Sequence, residues 1–304
     1  MIRILSTLFA LLLAAQVAFA QDKPEKPAEQ PVDPQQLAAQ FEKTLKYEQG
    51  DIVLPNKVAA LKVPEQFRYL NPEDTRKVLE ELWGNPDGKN TLGMLVPSGQ
   101  NLASNQSWAV VITYEEDGHV SDEDADKIDY DDMLKQMQEG IRAANEERKK
   151  AGYGTLELVG WAAKPRYDKA TKKLYWAKRL QFNQDKEHTL NYNVRVLGRK
   201  GVLVLNAVSG IDQLDKIERD MQQVIAFTNF TDGNRYQDFD SSVDKVAAYG
   251  LGALIAGGVA AKTGLLAKLL VMLVAFKKAI ILGALAIGAA VVKLFRGKKS
   301  SDQA

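Results

Sequence analysis

The chain holds two histidines, His119 and His188, no cysteine, and one dense acidic run: Asp122, Glu123, Asp124, Asp126, Asp129, Asp131 and Asp132. The absence of cysteine removes disulfides, thiolate metal ligands, a thiol nucleophile and a lipidated N-terminal cysteine together. His119 follows Gly118 at the entry to a strand, and His188 closes a charged turn, Gln184–Glu187. They do not stand three or four residues apart, so they form no zinc pair on one helix, although two strands could still bring them together. The acidic run is the one stretch with enough oxygen ligands for calcium. A calcium loop needs glycine at its sixth position and a bidentate glutamate at its twelfth. Placing Gly118 sixth puts Thr113 first and Asp124 twelfth, and the pattern fails. The run reads instead as a solvated segment whose carboxylates favour the start of the helix that follows. Asp122, Asp124 and Asp126 remain as a candidate acidic cluster.

A second constellation is aromatic. Trp161, Pro165, Tyr167 and Asp168 leave one strand while Trp176 and Arg179 stand in the next. Trp161, Tyr167, Asp168 and Arg179 are therefore a candidate interaction surface. Aromatics at such spacing also serve as packing, which is the competing reading. No phosphate loop, dinucleotide fingerprint or G-x-S-x-G elbow is present. Gly250-Leu251-Gly252 falls inside an apolar run, where glycines let helices pack closely. No catalytic, cofactor-binding or metal-ligating residue is assigned and no cofactor is implied, so the balance is against an enzyme. Asp122, Asp124 or Asp168 as an acid or base is the enzymatic alternative.

The elements that must position these residues follow from periodicity and caps. Pro34–Tyr47 reads as an amphipathic helix through Leu37, Phe41 and Leu45. Asp51–Leu54 and Val58–Val63 read as strands turning at Pro55-Asn56. Asn71 before Pro72, Glu73 and Asp74 marks a helix start, and Gly84 its end. Trp108–Tyr114 is a strand and Asp131–Lys149 a helix. Four strands come next: Leu156–Trp161, Leu174–Phe182, Thr189–Leu197 and Val202–Val208. Leu174, Trp176, Leu180 and Phe182 share one face of theirs, and Leu190, Tyr192, Val194 and Val196 one face of theirs. Their short connections imply an antiparallel meander. A last helix, Asp212–Phe227, turns Leu214, Ile217, Met221, Val224 and Ile225 toward it. The fold class is α+β, an antiparallel β-meander packed with amphipathic helices, with C-terminal transmembrane helices added by the tail.

Both ends of the chain look like topology signals. Residues 1–20 have a cationic start at Arg3, an apolar run from Ile4 to Val17, and Ala18-Phe19-Ala20, which fits signal-peptidase cleavage. Residues 21–36 hold Pro24, Pro27, Pro31 and Pro34 among charged residues and read as an extended tether. The globular part is expected over 37–242 and a hydrophobic anchor over 243–299, ahead of a polar tail, 300–304. Two apolar runs, 246–261 and 279–295, offer one span or two around Lys262, Lys268, Lys277 and Lys278. In the first run Gly252 with Ala256, Ala253 with Gly257 and Gly257 with Ala261 form small-xxx-small spacings that suit homo-oligomer contacts in lipid. Residues 246–304 carry eight basic residues against Asp302, a charge of +7. With Arg3 and a total of +1, residues 21–245 are left at −7. An acidic globular part has no basic field for nucleic acid, and the cationic tail reads as membrane orientation. The expected location is the bacterial inner membrane, with the main domain periplasmic.

Several short motifs carry a resemblance. They are Trp83-Gly84-Asn85-Pro86, Gly93-Met94-Leu95, Asp122-x-Asp124-Ala125, Gly160-Trp161 with Pro165-x-Tyr167-Asp168, Leu190-Asn191-Tyr192, Leu197-Gly198-Arg199-x-Gly201-Val202-Leu203, Tyr236-x-Asp238-Phe239, and Asp244-Lys245 leading to Tyr249-Gly250. Together they resemble a family of uncharacterised bacterial membrane-anchored proteins, domain of unknown function 2167, along nearly all of the exported part. At position 119 the family pattern implies an aromatic, and His119 departs from it, which argues against a catalytic role for that residue. The resemblance implies export and anchoring and assigns no reaction. The meander followed by a helix and Phe230, Gly233 and Tyr236 also looks like the layered sheets of the photosystem oxygen-evolving subunit P and Mog1 type. The expected function is a non-enzymatic domain that binds an envelope protein or small ligand beside the lipid bilayer. A membrane-active or oligomerising role for the C-terminal run is the other alternative.

Overall fold

The computed structural model describes residues 34–85, 90–104, 106–150 and 152–257. The expected signal segment, nearly all of the tether, and the apolar run 279–295 lie outside these residues. Eleven strands form two antiparallel sheets. The strands of the large sheet are β1 (Tyr47–Glu48), β4 (Phe67–Leu70), β5 (Thr91–Pro97), β6 (Val110–Glu115), β7 (Leu156–Asp168), β8 (Lys173–Phe182), β9 (His188–Leu197) and β10 (Val202–Gly210). Their order is β1-β4-β5-β6-β10-β9-β8-β7. The expected meander is the β7 to β10 half, each strand paired with the next. The small sheet has the order β11-β3-β2, from β2 (Gly50–Val53), β3 (Ala59–Val63) and β11 (Thr228–Phe230).

Period-two alternation sends Leu190, Tyr192, Val194 and Val196 of β9 and Leu203, Leu205 and Ala207 of β10 to one face. That face packs on Leu61 and Val63 of β3 and on α4 (Leu214–Phe227), which buries Ile217, Met221, Val224 and Ile225. The result is the main core.

Three separate helical covers lie on the opposite face. On the β4–β6 side α1 (Pro34–Glu42) and α2 (Pro72–Lys77), with the helical turn Val78–Leu82 that continues it, bury Leu37, Phe41 and Leu79 against Met94 and Val96. On β7 and β8, α3 (Tyr130–Lys150) packs Ile141 on Leu156, Leu158, Leu180 and Phe182. Between them α5 (Leu251–Ala256) sets Leu251, Leu254 and Ile255 on Leu174, Trp176, Leu197 and Val202.

Several sequence expectations change. The first helix ends at Glu42, and Tyr47–Glu48 pairs with β4 because the Lys46 amide donates to Asp74 Oδ2 at 3.0 Å. Leu45 keeps its buried place outside the helix. Asn71 does cap α2, accepting from the Asp74 amide at 3.0 Å, but the next turn, Val78–Leu82, widens to a π-helix. Strands β4 and β5 were not expected, although β5 is interior to the sheet. Its alternation is broken by a bulge at Gly93, whose φ of +141° and contact with the Tyr69 ring admit no side chain.

The largest correction concerns residues 246–261, expected as a membrane run. Among the described residues no helix is long and apolar enough to cross a membrane. The described part forms the six-residue α5, ended by Gly257 at φ +109°, and is buried on the protein's own sheet. Gly252 faces Met133 of α3, so this part of the small-xxx-small pattern is used within the chain. The globular domain therefore runs past 242, to Ala256.

Candidate functional site

Asp122 lies where the loop after β6 meets the β7–β8 turn and the segment before α5. Gly118, at φ +111°, brings that loop within backbone contact of Lys245. The His119 amide then donates to the Lys245 carbonyl, and the Ala247 amide to the His119 carbonyl, both at 2.8 Å. Asp122 accepts from the Tyr167 hydroxyl (2.8 Å), the Lys172 ammonium (2.8 Å) and the Tyr236 hydroxyl (3.2 Å). Burial alone would raise its carboxyl. The hydrogen bonds from Lys172 and Tyr167, together with the Lys172 charge, outweigh this and hold it below the usual range. Tyr167 is pushed upward, by burial first and then by Asp122, and Tyr236 up to about 12. The His119 ring stacks between Phe239 (4.0 Å) and Tyr236 (4.2 Å). Burial lowers its pKa, which keeps the ring neutral near pH 7.

The other expected site residues take structural posts. Asp124 caps α5, accepting from the Leu251 and Gly252 amides at 3.0 and 3.1 Å. Asp126 lines a shallow cleft with Tyr130, Arg166 and Tyr167. Asp168 closes the β7–β8 turn, accepting from the amides of Ala170 (2.9 Å) and Thr171 (3.2 Å) and from the Thr171 hydroxyl (2.7 Å). Trp161 donates to the Tyr130 carbonyl at 3.2 Å and packs beside α5. Arg179 is exposed opposite Gly160, on the other face of the sheet from Lys178, the partner of Trp161. The expected acidic cluster and aromatic surface are thus dispersed, and only Asp122 and Tyr167 touch. Their contact ties the loop after β6 to β7, and Tyr236 joins the segment leading to α5 to the same carboxylate.

A different group of side chains stands apart from this tie. On the helix-covered face, the middle of β8, β9 and β10 is polar where its flanks are apolar. Trp176 pairs with Asn193, Lys178 with Asn191, and Asn193 with Asn206. Asn191 and Asn193 are only 3% and 5% exposed, although asparagine is a poor strand former. They satisfy each other, Asn193 Nδ2 donating to Asn191 Oδ1 (2.8 Å) and Asn191 Nδ2 to Asn206 Oδ1 (2.9 Å). Two cations border this amide floor. The Arg195 guanidinium lies 5.0 Å from the Trp176 ring centre and donates from Nη1 to the Val194 carbonyl at 3.3 Å. Its Nε and the Trp176 Nε1 are buried without a partner. Burial, and then repulsion from Arg195, push the Lys178 ammonium down to about 8. Among the described residues neither cation forms an ion pair; Glu115 and Tyr249 act on Arg195 only from a distance. Alternation marks Asn191, Asn193 and Arg195 as the outward side of β9, which in a single strand reads as solvent. That is why sequence reasoning passed over them.

The model of the family described as "Protein of unknown function (DUF2167)" matches residues 46–288. The chain belongs to the DUF2167 family. Several DUF2167-like motifs meet at the Asp122 tie, through Tyr167, Tyr236 and the Arg199–Asp244 ion pair, in which Nε and Oδ2 are 2.6 Å apart. Asn191 of another motif lies in the polar row. No curated protein matches the chain. Among solved structures it is similar to cyanobacterial PsbP (CyanoP) from Synechocystis, at 9% identity and a TM-score of 0.34, covering 62% of this chain and 92% of that one. It is also similar to the Ran-binding protein Mog1p of Saccharomyces cerevisiae, at 9% identity and a TM-score of 0.34, covering 64% of this chain and 100% of that one.

Proposed function

We propose that this DUF2167 protein is a non-enzymatic binding domain, exported and held at the periplasmic side of a bacterial inner membrane. Its binding surface is the polar row around Lys178 and Arg195. The observation that carries this reading is a cationic pair with no ion-pair partner among the described residues, set on asparagines that a strand does not favour. Partly buried charges without a partner lower stability, and such groups cluster at functional sites. The residues best suited to acid–base chemistry, Asp122, Asp124 and Asp168, are committed to structural hydrogen bonds. The test is a thermal-shift screen of the full-length chain in mild detergent against anionic, cationic and neutral small molecules. At least one compound is expected to raise the melting temperature of the wild type and not of Lys178→Met. A screen in which no compound separates the two proteins removes this surface as the binding site.

The export signal at residues 1–20 and the +7 tail support the location. Docking of α5 on the sheet favours one crossing over two, leaving the run 279–295 as the span and Arg296, Lys298 and Lys299 on the cytoplasmic side. A reporter fused at Gln303 is then active in the cytoplasmic form. Activity only in the periplasmic form rejects the single span.

A further inference from the structure

We infer that the polar row binds a phosphate group, gripped between the Lys178 ammonium and the Arg195 guanidinium above the Asn191–Asn193–Asn206 floor. This rests on the reading of the row as the binding surface and adds the class of ligand.

Charge balance selects phosphate over carboxylate. Two cations lie on one face of the sheet, and a carboxylate would leave one of them uncompensated. A phosphate monoester carries about −1.5 to −2 near pH 7 and three strong acceptor oxygens. The donors suit it. Arg195 offers a guanidinium fork with only Nη1 engaged, by one 3.3 Å bond to the backbone. Lys178 has no hydrogen-bond acceptor among the described residues. Asn206 spends its Oδ1 on Asn191, which leaves its amide hydrogens free on a partly exposed side chain.

Geometry agrees. Lys178 stands opposite Asn191 and Arg195 opposite Leu174, an offset of four positions along the strands. That is about 13 Å of strand at the usual rise. Arg195 leans back over Trp176, two positions toward Lys178, and shortens the gap from its own side. The two cations are then near enough for the Arg195 charge to act on the Lys178 ammonium. The titratable groups facing the pair from neighbouring elements are Glu115 of β6 and Tyr249 ahead of α5. The Tyr249 hydroxyl is engaged with Asp117 at 2.6 Å. Glu115 acts on Arg195 only from a distance, and among the described residues no ion pair joins it to either cation.

A bound dianion would reverse the repulsion between the cations, so Lys178, lowered to about 8 when empty, rises on binding. Binding at pH 8.5 then takes up protons. A phosphate on a soluble molecule and one in a lipid headgroup present the same chemistry.

The experiment is titration calorimetry of the full-length chain in a phosphate-free, non-ionic detergent, with inorganic phosphate as the probe and acetate as the control. Two buffers of different ionisation enthalpy at pH 8.5 report proton uptake. Expected are phosphate binding at least tenfold tighter than acetate, a tenfold or greater loss in Lys178→Met and in Arg195→Met, and recovery to within threefold in Lys178→Arg. Proton uptake is expected in the wild type and absent in Lys178→Met. Vesicles of phosphatidylglycerol in phosphatidylcholine identify the source. If they displace phosphate the group belongs to a lipid, and if they do not it belongs to a soluble molecule; either result supports a phosphate site. Equal phosphate binding by wild type and both methionine variants means an adventitious ion only and overturns the inference. Acetate binding as tightly as phosphate, with loss in the variants, overturns the phosphate class while the binding surface stands. No anion binding at all, by a wild type with its normal melting temperature, overturns the site.

Discussion

Asp122→Ala is expected to destabilise the full-length chain by about 3 kcal/mol at pH 7. The carboxylate serves three donors and is 14% exposed, while Lys172 is 27% exposed and keeps some contact with water when its partner goes. For a domain of this size the change corresponds to a fall of roughly 10 °C in melting temperature. The sign with pH is fixed by the lowered native pKa. In the unfolded chain the carboxyl titrates near the ordinary value, about 4. Its contribution is complete above that pH and is lost as pH falls through the lower native value. The wild-type advantage over Asp122→Ala is therefore full from pH 5 to 7 and shrinks below 4. Denaturant titrations at pH 7, 5 and 3 measure it. A loss under 1 kcal/mol at pH 7 would reduce the tie to an ordinary surface ion pair. The Ala247 and Leu251 amides should exchange faster in the variant, because Asp122 holds Tyr167 and Lys172 of the sheet side to Tyr236 of the segment leading to α5.

Lys178→Met is expected to act in the opposite direction, raising stability at pH 7 by about 2 kcal/mol. The native ammonium is lowered to about 8, against an ordinary value of 10.5, and the figure is reduced for the part of the side chain that reaches solvent. Between those two pH values the unfolded chain binds the proton and the native chain releases it. Wild-type stability therefore climbs as pH rises from 8 to 10.5 and is flat below 8 with respect to this group. Methionine has nothing to titrate, so its advantage is full below pH 8 and closes toward 10.5. Melting curves of both proteins at pH 7, 9 and 10 check the trend. A variant less stable than wild type at pH 7 would show that the Lys178 charge is compensated in the native state. A lysine whose removal stabilises the fold is one kept for another purpose, which is how functional sites and stability trade against each other.

Much of the fold was legible because its signals are local. The Asn71–Pro72 start of α2 is a side-chain cap closed within four residues, and the β7–β10 meander is written in alternation and short turns. Strand β5 was hidden by its bulge, since a shift at Gly93 breaks the period that marks a strand. The first apolar run was misread for a different reason. Leu251, Leu254 and Ile255 are as apolar as lipid-facing residues, and hydropathy alone does not separate lipid from a sheet face formed by Leu174, Trp176, Leu197 and Val202, far earlier in the chain.

The acidic, aromatic and amide side chains divide in the same way. Sequence by itself determined the family, the α+β class, the lack of thiol chemistry and the charge division between an acidic domain and a cationic tail. Only tertiary structure decided what the side chains do. Asp122, Asp124, Asp126 and Asp168, close in type and spacing, part company because each meets a different neighbour: tyrosines and a lysine, the start of α5, an open cleft, and a turn. Asn191, Asn193 and Arg195 alternate along β9 as a solvent side would. Burial is a property of what packs over a strand and not of the strand, so the 3% and 5% exposure of Asn191 and Asn193 arises only in the folded chain.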